Sequence, residues 1–273
     1  MADTVLAGDL RAYRIVLGSR IRSQRAYRFG FRLDLVSSVL VGLVELAEVL
    51  VVYAGLSRGL GGLDVAAVVL VFALADLGFS LADMVVGHCD NLSTYIRAGT
   101  VDVFYLRPQP LLLQLVTSDI SLRRLARVAV GLAALVAGVA VNDLILDART
   151  VVVLVMAVVC STLTFAAMFV WAAGAQFFLV SGAEATNAFV YGGRYAASQP
   201  ASVWSRPLQA VFVFLFPMAF TAYLPTLLLL DLPGSGWVPG WLGWLSPVMT
   251  LWAWLMALLG WRFGVRHYQG GGG

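Results

Sequence analysis

The chain contains no lysine: all 18 of its basic residues are arginine. A Gly-x-x-x-x-Gly-Lys-Ser/Thr loop needs its lysine on the nucleotide phosphates, so the chain has no such ATPase site of its own. A lysine Schiff base to retinal or pyridoxal is excluded on the same ground. Histidine is nearly absent, with only His88 and His267, and cysteine is limited to Cys89 and Cys160. A histidine-rich metal site, a His-Glu-x-x-His zinc helix and a disulfide framework are therefore all out of reach. Charge is also scarce. Charged residues make up 12% of the 273 positions and hydrophobic ones 60%, whereas a soluble domain carries about 25% charged and about 45–50% apolar residues. Mean hydropathy is +0.87. A soluble enzyme, a disordered chain and a nucleic-acid binder are thereby set aside, and an all-α integral membrane protein remains.

A span of the hydrocarbon core needs about 20 mostly apolar residues. Six stretches qualify, at about 35–56, 65–86, 125–141, 150–171, 210–230 and 242–261. In a six-span chain 16 of the 18 arginines fall on one face: seven before span 1, five between spans 2 and 3, two between spans 4 and 5, and two after span 6. That face is cytoplasmic by the positive-inside rule, with both termini inside. Residues 1–33 read as an N-terminal amphipathic connecting helix on the inner leaflet, with Leu10, Tyr13, Leu17 and Ile21 on one stripe and Arg11, Arg14, Arg22 and Arg25 mostly off it. Plain positive-inside anchoring explains the same residues. Residues 34–268 form the six-span membrane domain, and 269–273 a Gly-rich tail. The Gly/Pro/Trp-rich stretch 231–241 precedes span 6, and Trp237, Trp241 and Trp244 read as an outer interfacial belt.

Glu45 and Glu48 lie on one face of span 1, and Asp76 lies near the middle of span 2. The short loop between these spans makes them antiparallel neighbours, so Glu45 and Asp76 can meet at one depth; Asp83 is nearer the cytoplasm. With no arginine inside spans 1, 2, 4 or 5, these acids are expected to be protonated, bonded across a helix interface, or open to a wet cavity. Two roles stay open: a pathway for a cationic or amphipathic solute, or glue between helices or subunits. Pro217 and Pro225 can kink span 5.

The loop between spans 2 and 3 is the sharpest feature. Gly99 allows a sharp turn, Thr100 or Asp102 can cap the segment that follows, and Pro108 ends it. The run Arg97-Ala98-Gly99-Thr100-Val101-Asp102 with Leu106-Arg107-Pro108 resembles the signature of six-span permease subunits of type-2 ATP-binding cassette exporters. So do Asn187 to Tyr195, Pro200, Phe216-Pro217 with Tyr223-Leu224-Pro225, and the ending Trp261 to Gly270. The resemblance covers nearly the whole chain; Val101 stands where leucine is expected, and Gln109 follows the Arg-Pro pair.

The resemblance implies a coupling helix between spans 2 and 3 that docks on a cytoplasmic ATPase, with Arg97, Gly99, Thr100, Asp102, Arg107 and Pro108 in that role. It implies a second inner-surface element at Tyr191, Gly192, Gly193, Arg194 and Tyr195, and a re-entrant outer element before span 6. ATP and magnesium would sit in the partner ATPase, present in two copies, and none in this chain. A second permease subunit, often a different chain, would complete the path, with membrane lipid around it and no nucleic acid involved. Family substrates include drugs, other amphiphiles and lipid-linked molecules. Abundant Arg, Ala and Val without Lys fits a GC-rich bacterial genome, hence the inner membrane. Against this stands a secondary transporter that would use Glu45, Glu48 and Asp76 as a proton or cation relay; such transporters commonly show inverted repeats and broken helices at the midplane, and the sequence shows neither clearly. A membrane enzyme lacks a clustered catalytic set.

Overall fold

The computed structural model describes residues 28–54, 63–118, 124–179, 183–236 and 238–268. The stripe expected over 8–28, Trp237 and the terminal glycines lie wholly or almost wholly outside these residues. Helix α1 (Arg28–Ala54) is one continuous helix, so residues 28–33 belong to the same rod as span 1.

Helix α2 (Val65–Val86) starts where Asp64 accepts a hydrogen bond from the Ala67 amide at 2.8 Å, satisfying one of the orphan donors at a helix start. It is buried along almost its whole length, Asp76 and Asp83 included. This all-round apolar rod is the centre of the fold. It runs on through a 3-10 turn (Gly87–Asn91) into α3 (Leu92–Arg97), giving a 33-residue apolar helix from Val65 to Arg97. The chain then passes α4 (Thr100–Tyr105) and α5 (Leu111–Ser118). Helix α6 (Leu125–Val141) returns along α2, and its end is pinned when the Asn142 side-chain amide donates to the Ala66 carbonyl at 2.8 Å. Helix α7 (Ala148–Gln176), capped by Asp147 on the Thr150 amide, packs on the other side of α2. Helix α8 (Ala183–Ala197) leans on α7 and α2.

The stretch predicted as span 5 is two pieces. Helix α9 (Arg206–Ala210) and the wider turn Val211–Leu215 lead to Phe216, and Met218–Phe220 and α10 (Tyr223–Leu229) follow at a 68° bend. Pro217 stands at the break, where a missing N–H and a fixed ring favour interruption. Pro225 lies within α10, so the kink falls at the first of the two prolines. A two-residue hairpin, β1 (Gly234–Ser235) with β2 (Val238–Pro239), and the 3-10 turn Gly240–Leu245 fold back over α10, and α11 (Ser246–His267) closes the chain. Trp241 and Trp244 are exposed.

Lipid is as apolar as leucine, so helices in a membrane associate through close packing of small residues. Helix α6 follows this rule: its buried positions are Ala126, Gly131, Ala134 and Gly138, while Leu132 and Val136 face outward. A Cβ on Gly131 would come within 2.9 Å of the Leu77 backbone. Helix α11 buries Thr250, Ala253, Ala257, Trp261 and Gly264 along its packed side, where Thr164 of α7 and Thr250 share a hydrogen bond at 3.1 Å, while buried Ser246 donates to the Gly243 carbonyl.

Among the described residues three helices, Val65–Arg97, Ala148–Gln176 and Gly240–His267, are long and apolar enough to cross a membrane; the bent pair Arg206–Leu215 and Met218–Leu229 makes a fourth if it is one span. The expected six are not reached on this criterion. Helix α6 has 17 residues, at the short limit of about 17–25 for a span.

Candidate functional site

Two regions gather the residues singled out from the sequence. The first is a buried ion-pair cluster. Arg194 of α8 forks onto Glu45 of α1, Nη1 to Oε1 at 2.8 Å and Nη2 to Oε2 at 2.5 Å, and the same Nη2 donates to Asp76 Oδ1 of α2 at 2.5 Å. The guanidinium carbon lies 5.1 Å from the centre of the Phe79 ring. Glu45 and Asp76 do meet, but through a cation. The expectation that no arginine reaches these acids is therefore corrected. The span pattern puts Arg194 in an inner loop, whereas the structure places it on the packed side of a helix, one turn after buried Val190 and three residues before buried Ala197.

One arginine against two carboxylates leaves a charge of −1. Arg127 of α6 stands 3.6 Å from Glu45 and offsets it. Below it, Arg124 pairs with Asp83 at 3.2 Å and also donates to the Asp83 carbonyl. Glu45, Asp76 and Asp83 thus face Arg194, Arg127 and Arg124. Asp76 is 1% exposed, and its Oδ2 has no hydrogen-bond partner among the described residues. The pairing is therefore incompletely satisfied, and the desolvation of its charges offsets much of their attraction. Glu48 is exposed and accepts a hydrogen bond from the Tyr195 hydroxyl at 3.1 Å, and Tyr191 donates to Asp90 at 3.4 Å. Gly192 is open to space, while Gly193 lies under the Met218 and Met168 side chains. The Tyr191–Tyr195 element is thus bound into the helix packing, with Tyr191 and Tyr195 partly open outward.

The second region is the segment between α3 and α5. Gly99 adopts φ 67°, a left-handed conformation that turns the chain sharply, and it precedes α4 without a capping side chain. Neither Thr100 nor Asp102 caps α4, contrary to expectation. Gly99 occupies the cap position, Thr100 donates back to the Tyr95 carbonyl at 3.1 Å, and Asp102 accepts from the Tyr268 hydroxyl at 2.9 Å. Burial and the neighbouring Asp102 carboxylate push the Tyr105 phenol up. Arg107 lies over the Phe104 ring, and Arg97, Asp102, Arg107 and Pro108 are all exposed. The outward tip is apolar: Val103 is 49% and Leu106 85% exposed. In the sequence nothing marks Leu106 beyond its place beside Arg107-Pro108, and Arg124, Arg127 and Tyr268 stand outside the motifs that define a site. Counting intramembrane acids against nearby arginines is the signal that points to the first two.

Among the described residues no group of three or more His, Cys, Asp or Glu could hold a metal ion. Cys89 and Cys160 are free thiols, both buried.

A family model described as ABC-2 family transporter protein matches residues 39–272. The chain belongs to the ABC-2 transporter family. It is thus a multi-pass membrane protein and the transmembrane component of an ATP-binding cassette transporter; membership makes it the membrane component, not the ATPase, and implies an ATP-binding cassette ATPase as partner. No curated protein and no solved structure matches this ABC-2 permease.

Proposed function

We propose that this ABC-2 permease is the membrane half of an ATP-driven exporter that moves an amphipathic small molecule, drug or lipid-like solute out of a bacterial cell. The observation that carries the reading is the α4 elbow: a left-handed Gly99 turn presents an exposed Leu106 at the end of a span. An apolar tip of this kind suits a groove on another protein. The elbow is the docking segment for two copies of the ATPase, which bind ATP and magnesium. The charged neighbours Arg97 and Arg107 form its rim, and Asp102 holds it from behind.

Six spans with both termini inside remain the arrangement that best fits the arginine distribution. The 27-residue α1 and the 17-residue α6 add to the longer helices and the bent pair to make six. Export and an amphipathic cargo rest on the resemblance of the Arg97–Pro108, Asn187–Tyr195 and Trp261–Gly270 stretches to exporter subunits. A second permease, of a different sequence, completes the path. The rival carboxylate relay needs acids free to exchange protons, and the Arg194 fork on Glu45 and Asp76 weighs against it.

The test is co-expression with the ATPase and permease encoded beside this chain, extraction in mild detergent, and native mass spectrometry. A complex with two ATPase copies is expected, and Leu106→Glu should abolish it while leaving the permease inserted. A chain that purifies alone and transports in liposomes without ATP would sink the exporter reading.

A further inference from the structure

A six-residue helix has no stability of its own, since isolated helices below about 12–15 residues are marginal in water. Helix α4 must therefore be held by its surroundings, and three contacts do this. Its own Val101 is fully buried, in a cluster with Leu92, Ile96 and Leu115. From α5, the Gln114 side-chain amide donates to the carbonyls of Phe104 at 3.0 Å and Gln109 at 2.7 Å. From the far end of the chain comes Tyr268, which follows α11 directly. Its hydroxyl donates to Asp102 at 2.9 Å, and its ring stacks on Tyr105 with centroids 5.7 Å apart and planes 9° apart. The other side of Tyr268 meets Phe177, the first residue after α7, edge-on at 5.7 Å, and Phe177 in turn meets Trp261 of α11 at 5.6 Å. Behind α3, Gln176 at the end of α7 accepts a hydrogen bond from the Ser93 amide at 2.7 Å.

Residues three apart lie on one helix face. Asp102 and Tyr105 are such a pair, and Tyr268 grips both. Val103 and Leu106 are the other such pair, and they are exposed. Holding the first face fixes where the second points.

We propose that Tyr268 is a positioning residue that clamps the α4 elbow to the ends of α7 and α11 and so sets the outward orientation of Val103 and Leu106 toward the ATPase. The inference rests on the docking reading above. Tyr268 touches neither ATP nor cargo; it acts through the elbow, by a hydroxyl–carboxylate bond and a ring stack.

Tyr268→Phe and Tyr268→Ala, each in the full-length chain, separate the two contacts. The first readout is hydrogen–deuterium exchange of amides 101–107 in detergent without any partner. Tyr268→Phe should exchange about five-fold faster there, the factor for one lost hydrogen bond of ordinary strength. Tyr268→Ala, which also loses the ring contacts, should exceed about ten-fold. Amides in the middle of α7 should not change. The second readout is the Kd of the permease for the ATPase encoded beside it: several-fold weaker for Tyr268→Ala, and within about two-fold of wild type for Tyr268→Phe, which keeps the stack. Unchanged exchange at 101–107 in Tyr268→Phe, or in both variants, overturns the clamp. Faster exchange with unchanged affinity in Tyr268→Ala overturns its role in setting the docking face. A wild-type chain that binds no ATPase overturns the docking reading instead, and the exchange result then still decides whether Tyr268 clamps the elbow.

Discussion

The Arg194 guanidinium stands 2.5 Å from the Asp76 carboxylate, although 118 positions separate them in the chain. With Glu45 on the same fork, this contact ties α1, α2 and α8 at one point. The partners are largely out of contact with water: the Arg194 side chain is 12% exposed and Asp76 1%. Removing one member of such a pair leaves an uncompensated charge.

Arg194→Gln is accordingly expected to destabilise the fold by about 3–5 kcal/mol. Arg194→Lys should fall between it and wild type, because an ammonium keeps the charge and loses the fork. Thermal unfolding in detergent measures both. The pair Glu45→Gln and Asp76→Asn should lower stability and reduce transport regardless of cargo charge. A normally stable double variant with loss confined to cationic cargo would restore the solute-pathway role for Glu45 and Asp76.

At Gly99 no atom lies within 4 Å of an added Cβ, yet φ is 67°. Gly99→Ala should therefore cost about 1–2 kcal/mol through backbone conformation alone. Gly99→Asn should cost less, since asparagine tolerates the left-handed region. Co-purified ATPase per permease should rank Gly, Asn, Ala; equal yields for all three would show that the turn does not matter to docking.

Two other glycines predict opposite signs. A Cβ on Gly174 of α7 would meet the Gly260 backbone of α11 at 2.8 Å, and backbone cannot move aside. Gly174→Ala is expected to cost about 1–3 kcal/mol. Gly192 in α8 meets nothing within 4 Å, so Gly192→Ala should stabilise by about 0.5–1 kcal/mol by reducing unfolded-state freedom. Melting temperatures of the two variants should move in opposite directions.

Arg149 at the start of α7 holds Asp231 after α10 at 2.6 Å and also donates to the Leu228 carbonyl at 3.2 Å. The guanidinium lowers the Asp231 carboxyl below its ordinary value. A depressed acid contributes stability above its unfolded value, near pH 4, and loses it as pH falls through the folded value. Asp147, lowered by the Thr150 amide, has the same sign. Both groups are solvent-exposed, so the effect is small and screened by salt. Arg149→Met should flatten part of the acid-side slope of a melting-temperature profile below about pH 4; an unchanged slope would assign that titration to Asp147 and other carboxylates.

Long unbroken apolar runs made the straight helices legible: α2 and α6 have the boundaries read from the sequence, and Asp64 before α2 is a recognisable start. Pro217 marked the break in span 5 for a reason local to the chain. What was not legible depends on distant pairing. Arg194 sits 149 residues from Glu45 and Tyr268 sits 166 from Asp102, and neither residue type announces its partner. Thr100 and Asp102 were good capping residues by type, but Gly99 ahead of them took the cap position and freed both side chains for other bonds. The Arg194 position was open to a helical reading, because Val190, Arg194 and Ala197 share one face; an arginine on such a face asks for an acid.

Helix α7 has 29 residues, so at 1.5 Å per residue it is a rod of about 43 Å. Its close, small-residue seam with α11 leaves little room for the two to slide independently, and both end beside the Tyr268 ring. If docking at the elbow drives that end, the pair acts as a lever along its whole length. A tilt of roughly 10° about the Tyr268 end carries the far end through about 7 Å, more than the width of a water molecule. Under the docking reading proposed above, a small movement at the elbow would reach the far end of the rod enlarged, and the contacts of α7 with Leu74 of α2 and with Asp231 would have to give way.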